Sequence, residues 1–210
     1  LLPALQKSRK QARRTVCVNT LSNWGKALTL YAEDHDRWLP GRDPLYPQIN
    51  IVSSIFRTVM PSYGIVQEQG FCADSGVDER WFTPFWNFTP TATVMTYAYF
   101  PNASNAGINP RSLRLLGQYE YDQYGKDLLL MADVNRFLLP LDPISTNHQN
   151  PGMASFQFAS ATFPGLVYTS RIPIGVNALA QDGHVEWTNW SQLNLSVYFS
   201  VGVDNSYHWK

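Results

Sequence analysis

The first 40 residues carry a helical pattern of hydrophobic positions, whereas the rest of the chain carries short strand-like patterns. From Leu5 onward, apolar residues recur at about 3.6 residues or its multiples, at Ala12, Val16, Trp24, Leu28 and Tyr31. Basic residues fill the other faces, and the pattern stops at Trp38-Leu39-Pro40-Gly41, where Pro and Gly end helices. We therefore predict one helix, about 50 Å long at 1.5 Å per residue, with a narrow apolar stripe.

After Pro40, short apolar runs alternate with Pro, Gly and Asn, which is typical of strands joined by tight turns. The Asp182-Gly183 pair lies between two alternating runs and predicts a two-residue type I′ hairpin. Ile49–Val52 and Ile55–Met60 fit helix or strand equally well. One long helix followed by hairpin-linked strands predicts an α+β fold with a mainly antiparallel sheet and extra hairpins. The strand candidates are Thr93–Phe100, Gln118–Tyr121, Leu128–Asp133, Gly165–Thr169, Val176–Ala180, Val185–Thr188 and Val197–Val203.

Composition and charge exclude several classes of protein. The chain has 16 basic and 16 acidic residues, with 15% charged and 14% aromatic residues, which argues against disorder and against a general nucleic-acid binder. Residues 1–42 nevertheless hold eight basic residues and three acidic ones. Such a basic opening is found in juxtamembrane segments, in nucleic-acid arms and on solvated helix faces.

Catalytic and cofactor motifs are absent from the sequence. It contains no G-x-S-x-G, no H-E-x-x-H, no phosphate-binding loop and no G-x-G-x-x-G. Two cysteines and scattered histidines do not make a zinc pattern. We therefore predict that the protein is not an enzyme, and we assign no catalytic, cofactor-binding or metal-binding residue.

Five separate boxes, in order along the chain, resemble those of one bacterial family. The opening box runs from Leu1-Leu2-Pro3 through Arg13-Arg14 and Cys17 to Leu39-Pro40. The later boxes are Phe71-Cys72-Ala73-Asp74, Thr96-Tyr97-Ala98-Tyr99, Leu130-Met131-Ala132-Asp133, and His148 with Asn177 to Val185, including Asp182-Gly183-His184. Together they resemble prepilin-type, pseudopilin-like proteins with a DUF1559 (H-X9-DG) C-terminal domain. His148 departs from that pattern, because 33 residues rather than nine separate it from Asp182.

The resemblance implies a filament subunit. It implies a pilin-type helix over residues 1–40, whose upstream apolar half is absent here, and a β-rich globular domain over residues 41–210. It also implies export, an inner-membrane anchor in the precursor, and assembly with copies of itself into a pilus or a type II secretion pseudopilus. The location would be the cell surface or the periplasm. The helix residues that we expect at subunit contacts are Leu1, Leu2, Leu5, Arg9, Arg13 and Arg14, although a solvated basic face is an equally good interpretation.

Export in turn favours a disulfide between Cys17 and Cys72, because oxidising compartments form such bridges. The bridge would join the helix to the sheet across a loop of about 55 residues. Two buried thiols are the alternative.

Aromatic residues give a second functional hypothesis, a cell-surface module that binds carbohydrate. Trp81, Phe85 and Trp86 belong to a cluster of rings that can face surface glycans or a partner, or can form a core beneath a loop. Four Asn-x-Ser/Thr triplets, which accept glycans where the transferase exists, lie at Asn87, Asn102, Asn189 and Asn194.

Overall fold

The computed structural model of the protein describes residues 2–41, 50–75, 77–99, 101, 129–133, 136–138, 156–159, 167–170, 174–189, 198–201 and 204–207. Within these ranges the fold is α+β, with one long N-terminal helix and antiparallel sheets, as predicted. Gln118–Tyr121, a predicted strand, lies outside the described residues. Among the described residues, no helix is both long enough and apolar enough to cross a membrane.

Helix α1 spans Leu2–Asp34, a length of 33 residues. Asp36 and Arg37 adopt positive φ angles of 50° and 66°, so the chain leaves the helical path before Pro40. The N–H of Arg37 donates to the carbonyl of Ala32 at 2.7 Å and satisfies one of the last helical acceptors. The predicted length of about 50 Å, or roughly 33 residues, is therefore confirmed, and the helix ends four residues before Trp38, where the apolar pattern stops.

Short helices, single turns of 3-10 helix and two short strands follow α1. Strand β1 (Ile51–Ser53) leads into helix α2 (Ile55–Thr58), and helix α3 covers Phe82–Trp86. Single turns of 3-10 helix occur at Met60–Tyr63, Gln67–Gly70 and Glu79–Trp81. Strand β2 (Ala92–Val94) pairs with β1 in an antiparallel ribbon.

The main sheet lies under α1. The remaining strands are β3 (Tyr97–Tyr99), β4 (Leu129–Asp133), β5 (Arg136–Leu138), β6 (Phe156–Ala159), β7 (Val167–Ser170), β8 (Gly175–Ala180), β9 (Val185–Asn189), β10 (Tyr198–Val201) and β11 (Asp204–Tyr207). Strands β3, β4, β8 and β9 form a four-stranded antiparallel sheet in that order, and α1 packs on β4, β8 and β9. Strands β10, β11 and β5 form a second antiparallel sheet, and β6 and β7 form a hairpin ribbon.

The hairpin between β8 and β9 has a different turn from the one predicted. The N–H of Ala180 donates to the carbonyl of His184 at 3.0 Å, which leaves a loop of three residues rather than two. Only Gly183 has a positive φ in this loop, at 88°, whereas a type I′ turn would require two such residues. Asp182 instead accepts a hydrogen bond from the N–H of His184 at 2.9 Å. The prediction of a hairpin here is confirmed, and the predicted turn type is wrong.

The hydrophobic core lies between the second half of α1, the sheet and the loops around α2 and α3. Trp24 and Phe56 are fully buried, with ring centroids 5.5 Å apart, and Phe56 contacts Tyr99 edge-on at 4.8 Å. The indole N–H of Trp24 donates to the carbonyl of Gln69 at 2.7 Å, so its polar atom is satisfied inside the core. This cluster fixes the second half of α1 against the body of the protein.

Candidate functional site

The two halves of α1 have different surroundings. From Cys17 onward one face of the helix is buried, at Cys17, Thr20, Leu21, Trp24, Gly25, Ala27, Leu28, Tyr31 and Ala32. Before Cys17, every residue from Ala4 to Val16 is exposed except Lys10 and Arg14, which are partly buried. We call residues 4–16 the basic half, because Lys7, Arg9, Lys10, Arg13 and Arg14 fall in it and the first acidic residue of the chain is Glu33.

Three large apolar side chains lie on the outward side of α1. Leu5, Val16 and Leu30 are 50%, 51% and 49% exposed. At about 100° per residue these three positions share one side of the helix, about a quarter-turn from Trp24, Leu28 and Tyr31. The single apolar stripe predicted from the sequence is therefore wrong, because it merges an outward line with an inward one. We call Leu5, Val16 and Leu30 the outward line.

The predicted disulfide is confirmed, since Cys17 is bonded to Cys72 with Cα atoms 5.4 Å apart. Both cysteines are buried, and the N–H of Cys72 donates to the hydroxyl of Thr96 at 2.6 Å. The bridge therefore fixes α1 to the loop that follows Gln67–Gly70, and this loop is hydrogen-bonded to Thr96, the residue before β3. It lies at the boundary between the basic half and the packed half of the helix.

A buried carboxylate lies directly beneath this boundary. Asp133, at the end of β4, is 2% exposed. Its carboxylate accepts hydrogen bonds from the backbone N–H of Asn177 at 2.7 Å and from the side-chain amide of Asn177 at 2.8 Å. The register places Tyr97 opposite Asp133 on β3, and Trp187 opposite Asn177 on β9. These four residues form one row across the sheet, which we call the polar row.

Arg14 connects the helix to the polar row. Its guanidinium carbon lies 3.6 Å from the ring centroid of Trp187, in a cation–π contact. Burial lowers the pKa of Arg14, and the charge of Asp133 opposes that shift. Burial also raises the pKa of Tyr97, and the charge of Asp133 raises it further, so Tyr97 stays a neutral phenol. The arrangement balances the charge of Asp133 with a cation, and it offers no activated nucleophile.

One group of possible metal ligands occurs in the described part of the chain. The sulfur atoms of Cys17 and Cys72 and a carboxylate oxygen of Asp133 all lie within 4.8 Å of one another. A metal would need thiolates, however, and the two sulfur atoms are bonded to each other. The disulfide form therefore offers a metal a single carboxylate ligand.

Arg13 also faces its own domain. Its guanidinium lies 3.4 Å from the carboxylate of Asp74, and the Arg13 side chain remains 60% exposed. Such an exposed pair contributes at most about 1 kcal/mol. Of the residues predicted at subunit contacts, Leu5 and Arg9 therefore project freely from the domain, whereas Arg13 and Arg14 also contact it. Leu2 begins α1, and Leu1 lies outside the described residues.

The opposite end of α1 is acidic. Glu33, Asp34 and Asp36 are all exposed, with Arg37 beside them. Asp34 accepts a hydrogen bond from the hydroxyl of Tyr63 at 3.0 Å. We call Glu33–Asp36 the acidic end. The helix thus carries positive charge along its first half and net negative charge at its last turn.

The turn Asp182-Gly183-His184, between β8 and β9, packs against α1. Gly25 of α1 lies close to Gly183, since a Cβ added at Gly25 would be 3.8 Å from the Cα of Gly183. Asp182 lies 2.6 Å from the imidazole Nδ1 of His184, and hydrogen bonds from the backbone and ring of His184 lower the pKa of Asp182. His148 lies outside the described residues, so its relation to this turn stays a prediction.

The aromatic cluster forms part of the core rather than an exposed ring surface. Phe85 and Trp86 are 4% and 6% exposed, and both contact Phe71 with centroids 6.4 Å apart. Trp81 is partly buried and stacks on Phe85 at 6.1 Å. The interpretation of Phe85 and Trp86 as glycan-contacting rings is therefore wrong, because their faces are covered by neighbouring rings.

The acceptor asparagines of two of the four glycosylation triplets, Asn87 and Asn189, are described residues. Asn87 is exposed at the end of α3, where its amide donates to the carbonyl of Thr83 at 3.1 Å. Asn189 is exposed at the end of β9, where its side-chain oxygen accepts from the indole of Trp187 at 3.0 Å. Asn102 and Asn194 lie outside the described residues. Occupancy at all four positions stays a prediction.

Sequence reasoning missed the polar row as a site. Asp133, Tyr97 and Asn177 were noted as members of three separate boxes, and their meeting depends on the register of β3, β4 and β8. A signal did exist, since Asp133 ends the apolar run Leu128–Ala132, where a carboxylate is expected to need partners.

In the comparisons with known proteins, no protein-family model, no curated protein and no solved structure matches this chain. The evidence for the α+β architecture and for the disulfide therefore comes from the structure itself. The relationship to pilin-like proteins remains an expectation from the sequence.

Proposed function

We propose that the protein is a structural subunit of an extracellular or periplasmic pilus-like filament, and that it assembles through α1. The observation that carries the proposal is the contrast between the two halves of this helix. The second half is fixed by the core and by the disulfide, whereas residues 4–16 extend with almost every side chain exposed.

An unsupported helix of this composition is expected to be weak. Isolated helices shorter than about 12–15 residues are marginal in water. The basic half has no acidic residue to form i,i+4 ion pairs, and its like charges repel one another. Docking of this segment on another surface would supply the stabilisation that its own domain does not.

The outward line supports assembly as well. Leu5, Val16 and Leu30 are half-exposed on one side of α1, about a quarter-turn from its buried face. A neighbouring copy packed along this side would cover all three without competing with the core. The alternative function, a carbohydrate-binding or adhesion module, would have to act without the buried faces of Phe85 and Trp86, which leaves the partly buried Trp81 as its contact among the described rings of this cluster.

The test is electron microscopy of the natively processed, full-length protein from the producing cells. We expect regular filaments whose averaged density accommodates this fold with α1 toward the filament axis. Leu5→Glu combined with Val16→Glu should abolish the filaments and leave the thermal melting curve of the monomer unchanged. The matched control is Val66→Glu, which changes an apolar side chain that is 54% exposed and does not belong to α1.

Filaments formed equally well by the Leu5→Glu, Val16→Glu variant would contradict assembly through the outward line. Monomers alone, at every concentration tested, would contradict the proposed function itself.

A further inference from the structure

We infer that the basic half of α1 in one copy binds the acidic end of α1 in a neighbouring copy, so that parallel helices contact each other head to tail. This inference rests on the proposed filament function and names the contact that would specify it. The partner that we infer is a second copy of this chain, because its acidic end is complementary in charge to the basic half.

The basic half carries cations that form no ion pair with the described residues of its own domain. Within the described ranges, Lys7, Arg9 and Lys10 form no ion pair, whereas Arg13 and Arg14 contact Asp74 and Trp187. Arg9 and Lys10 are adjacent in sequence, and Arg9 is exposed. Two cations at this position are therefore available to another surface.

The acidic end carries the complementary charge. Glu33 and Asp36 are exposed and likewise form no ion pair among the residues that the structure describes. The C-terminal end of a helix also bears the negative end of its dipole, to which these carboxylates add. The last turn of α1 contains no basic residue that would offset this charge.

The last turn of α1 is thus unfavourable in an isolated chain. Cations stabilise the end of a helix, whereas the last turn of α1 carries carboxylates, and the like charges along its first half repel one another. A neighbour in the inferred contact brings acid to the first half and base to the last turn. The same charges that weaken the isolated helix then favour the assembled one.

A single displacement between two copies of α1 aligns the charged residues and two residues of the outward line. Arg9 and Glu33 are separated by 24 positions, as are Lys10 and Asp34, and Leu5 and Leu30 are separated by 25. Two parallel helices displaced by about 36–38 Å, at 1.5 Å per residue, would therefore place the two members of each pair at about the same height along the helix axes. Leu5 and Leu30 are each about half-exposed, so this displacement also brings two apolar side chains to the same height.

The experiment is a charge exchange between two variants of the full-length, processed protein. One variant carries Arg9→Glu and Lys10→Glu, and the other carries Glu33→Lys and Asp34→Lys. We expect each variant alone to give at least tenfold less sedimentable filament than the wild type. An equimolar mixture should recover filament, because each variant then finds its complementary end on the other. Thermal melting of each variant confirms that the monomer is folded.

The matched control changes the same amount of charge elsewhere. Glu79→Lys with Glu186→Lys alters two exposed carboxylates that lie outside α1, and we expect filament yield within twofold of the wild type. If the wild type forms no filament, the proposed function fails. If the wild type assembles and both exchanged variants assemble equally well, the inferred contact alone is overturned.

A mixture that stays unassembled also overturns the inferred contact. In that case sedimentation with vesicles of phosphatidylcholine and phosphatidylglycerol distinguishes the other occupant. Loss of vesicle binding by the Arg9→Glu, Lys10→Glu variant would assign the basic half to an anionic lipid surface instead.

Discussion

Asp133 is the residue on which the joint between α1 and the sheet depends most directly. A buried carboxylate is costly unless it accepts hydrogen bonds and has a cation nearby. Asp133 meets both conditions, because Asn177 donates two hydrogen bonds to it and its charge acts on Arg14. Its role is therefore structural, and its removal is expected to leave several groups without partners.

We expect Asp133→Ala to lower the free energy of unfolding by about 2–4 kcal/mol, since the N–H and amide of Asn177 lose their acceptor inside the core. Asp133→Asn should cost less, because its side-chain oxygen can still accept one of these bonds. Urea denaturation measures both values. The control is Glu186→Gln, an exposed residue on β9, for which we expect a change below about 0.5 kcal/mol. Equal stability of Asp133→Ala and wild type would contradict the assigned role.

The Asp182–His184 pair predicts a pH effect at the turn. Hydrogen bonds from His184 lower the pKa of Asp182, so the stabilisation is present above the unfolded-state pKa and is lost as pH falls through the folded one. NMR titration of the Asp182 carboxyl carbon should give a midpoint below the ordinary value of about 3.9, and His184→Ala should raise it. Because both side chains are more than a third exposed, the change in stability should stay below about 1 kcal/mol. The backbone N–H of residue 184 remains in His184→Ala, so the midpoint should rise only in part, and an unchanged midpoint would contradict the contribution of the imidazole.

At the level of secondary-structure elements, the sequence predicts most of the strands that the structure describes, but it does not predict the order in which they lie in the sheets. The predicted runs at Leu128–Asp133, Val176–Ala180 and Val185–Thr188 correspond to β4, β8 and β9 within one residue. The run Thr93–Phe100 divides instead into β2 and β3, which belong to different sheets. Local alternation marks extended backbone, whereas the pairing of β3 with β4 depends on contacts between segments about 30 residues apart, which no local pattern contains.

Gly175 at the start of β8 gives a test of strand packing. A Cβ at this position would overlap the carbonyl oxygen of Thr188 and the ring of Trp187 on the neighbouring strand. We expect Gly175→Ala to destabilise the protein by about 2–3 kcal/mol, because the backbone oxygen cannot move aside without disturbing the β8–β9 pairing. Chemical denaturation measures the loss. Gly41→Ala is the control, since nothing lies within 4 Å of the added Cβ, and a comparable loss there would contradict the packing argument.

At the level of the whole molecule, the sequence identified the disulfide and the basic helix but not the joint between them. Cys17 and Cys72 were linked through an expected compartment rather than through geometry, and the structure confirms the bond. Arg13 and Arg14 were grouped with Arg9 because all are basic, yet Arg14 packs on Trp187, a residue 173 positions away. Charge is visible in the sequence, whereas the direction in which a helix presents it depends on what the helix packs against.

Limited proteolysis should report the difference between the two halves of α1. In the monomer, trypsin is expected to cleave after Lys7, Arg9, Lys10 and Arg13 at least tenfold faster than after Lys26, because the segment around Lys26 must first separate from the core. In filaments, cleavage in residues 7–13 should slow at least tenfold. Cleavage after Arg80, which is 70% exposed, provides the reference for enzyme activity. Mass spectrometry of the fragments gives the rates, and equal rates at Arg13 and Lys26 in the monomer would contradict the division.

The position of the disulfide has a mechanical consequence. A pull applied to the first half of α1 reaches the sheet through the covalent bond at Cys17, so tension passes directly to Cys72 and bypasses the segment between them. That segment, with a sequence separation of 55, contains Trp24, Leu28 and the rest of the packed helix. Fully extended, it would lengthen the chain by about 180–200 Å. The bond therefore makes the oxidised subunit nearly inextensible along this path, whereas a reduced subunit would stretch under load by peeling its helix from the core.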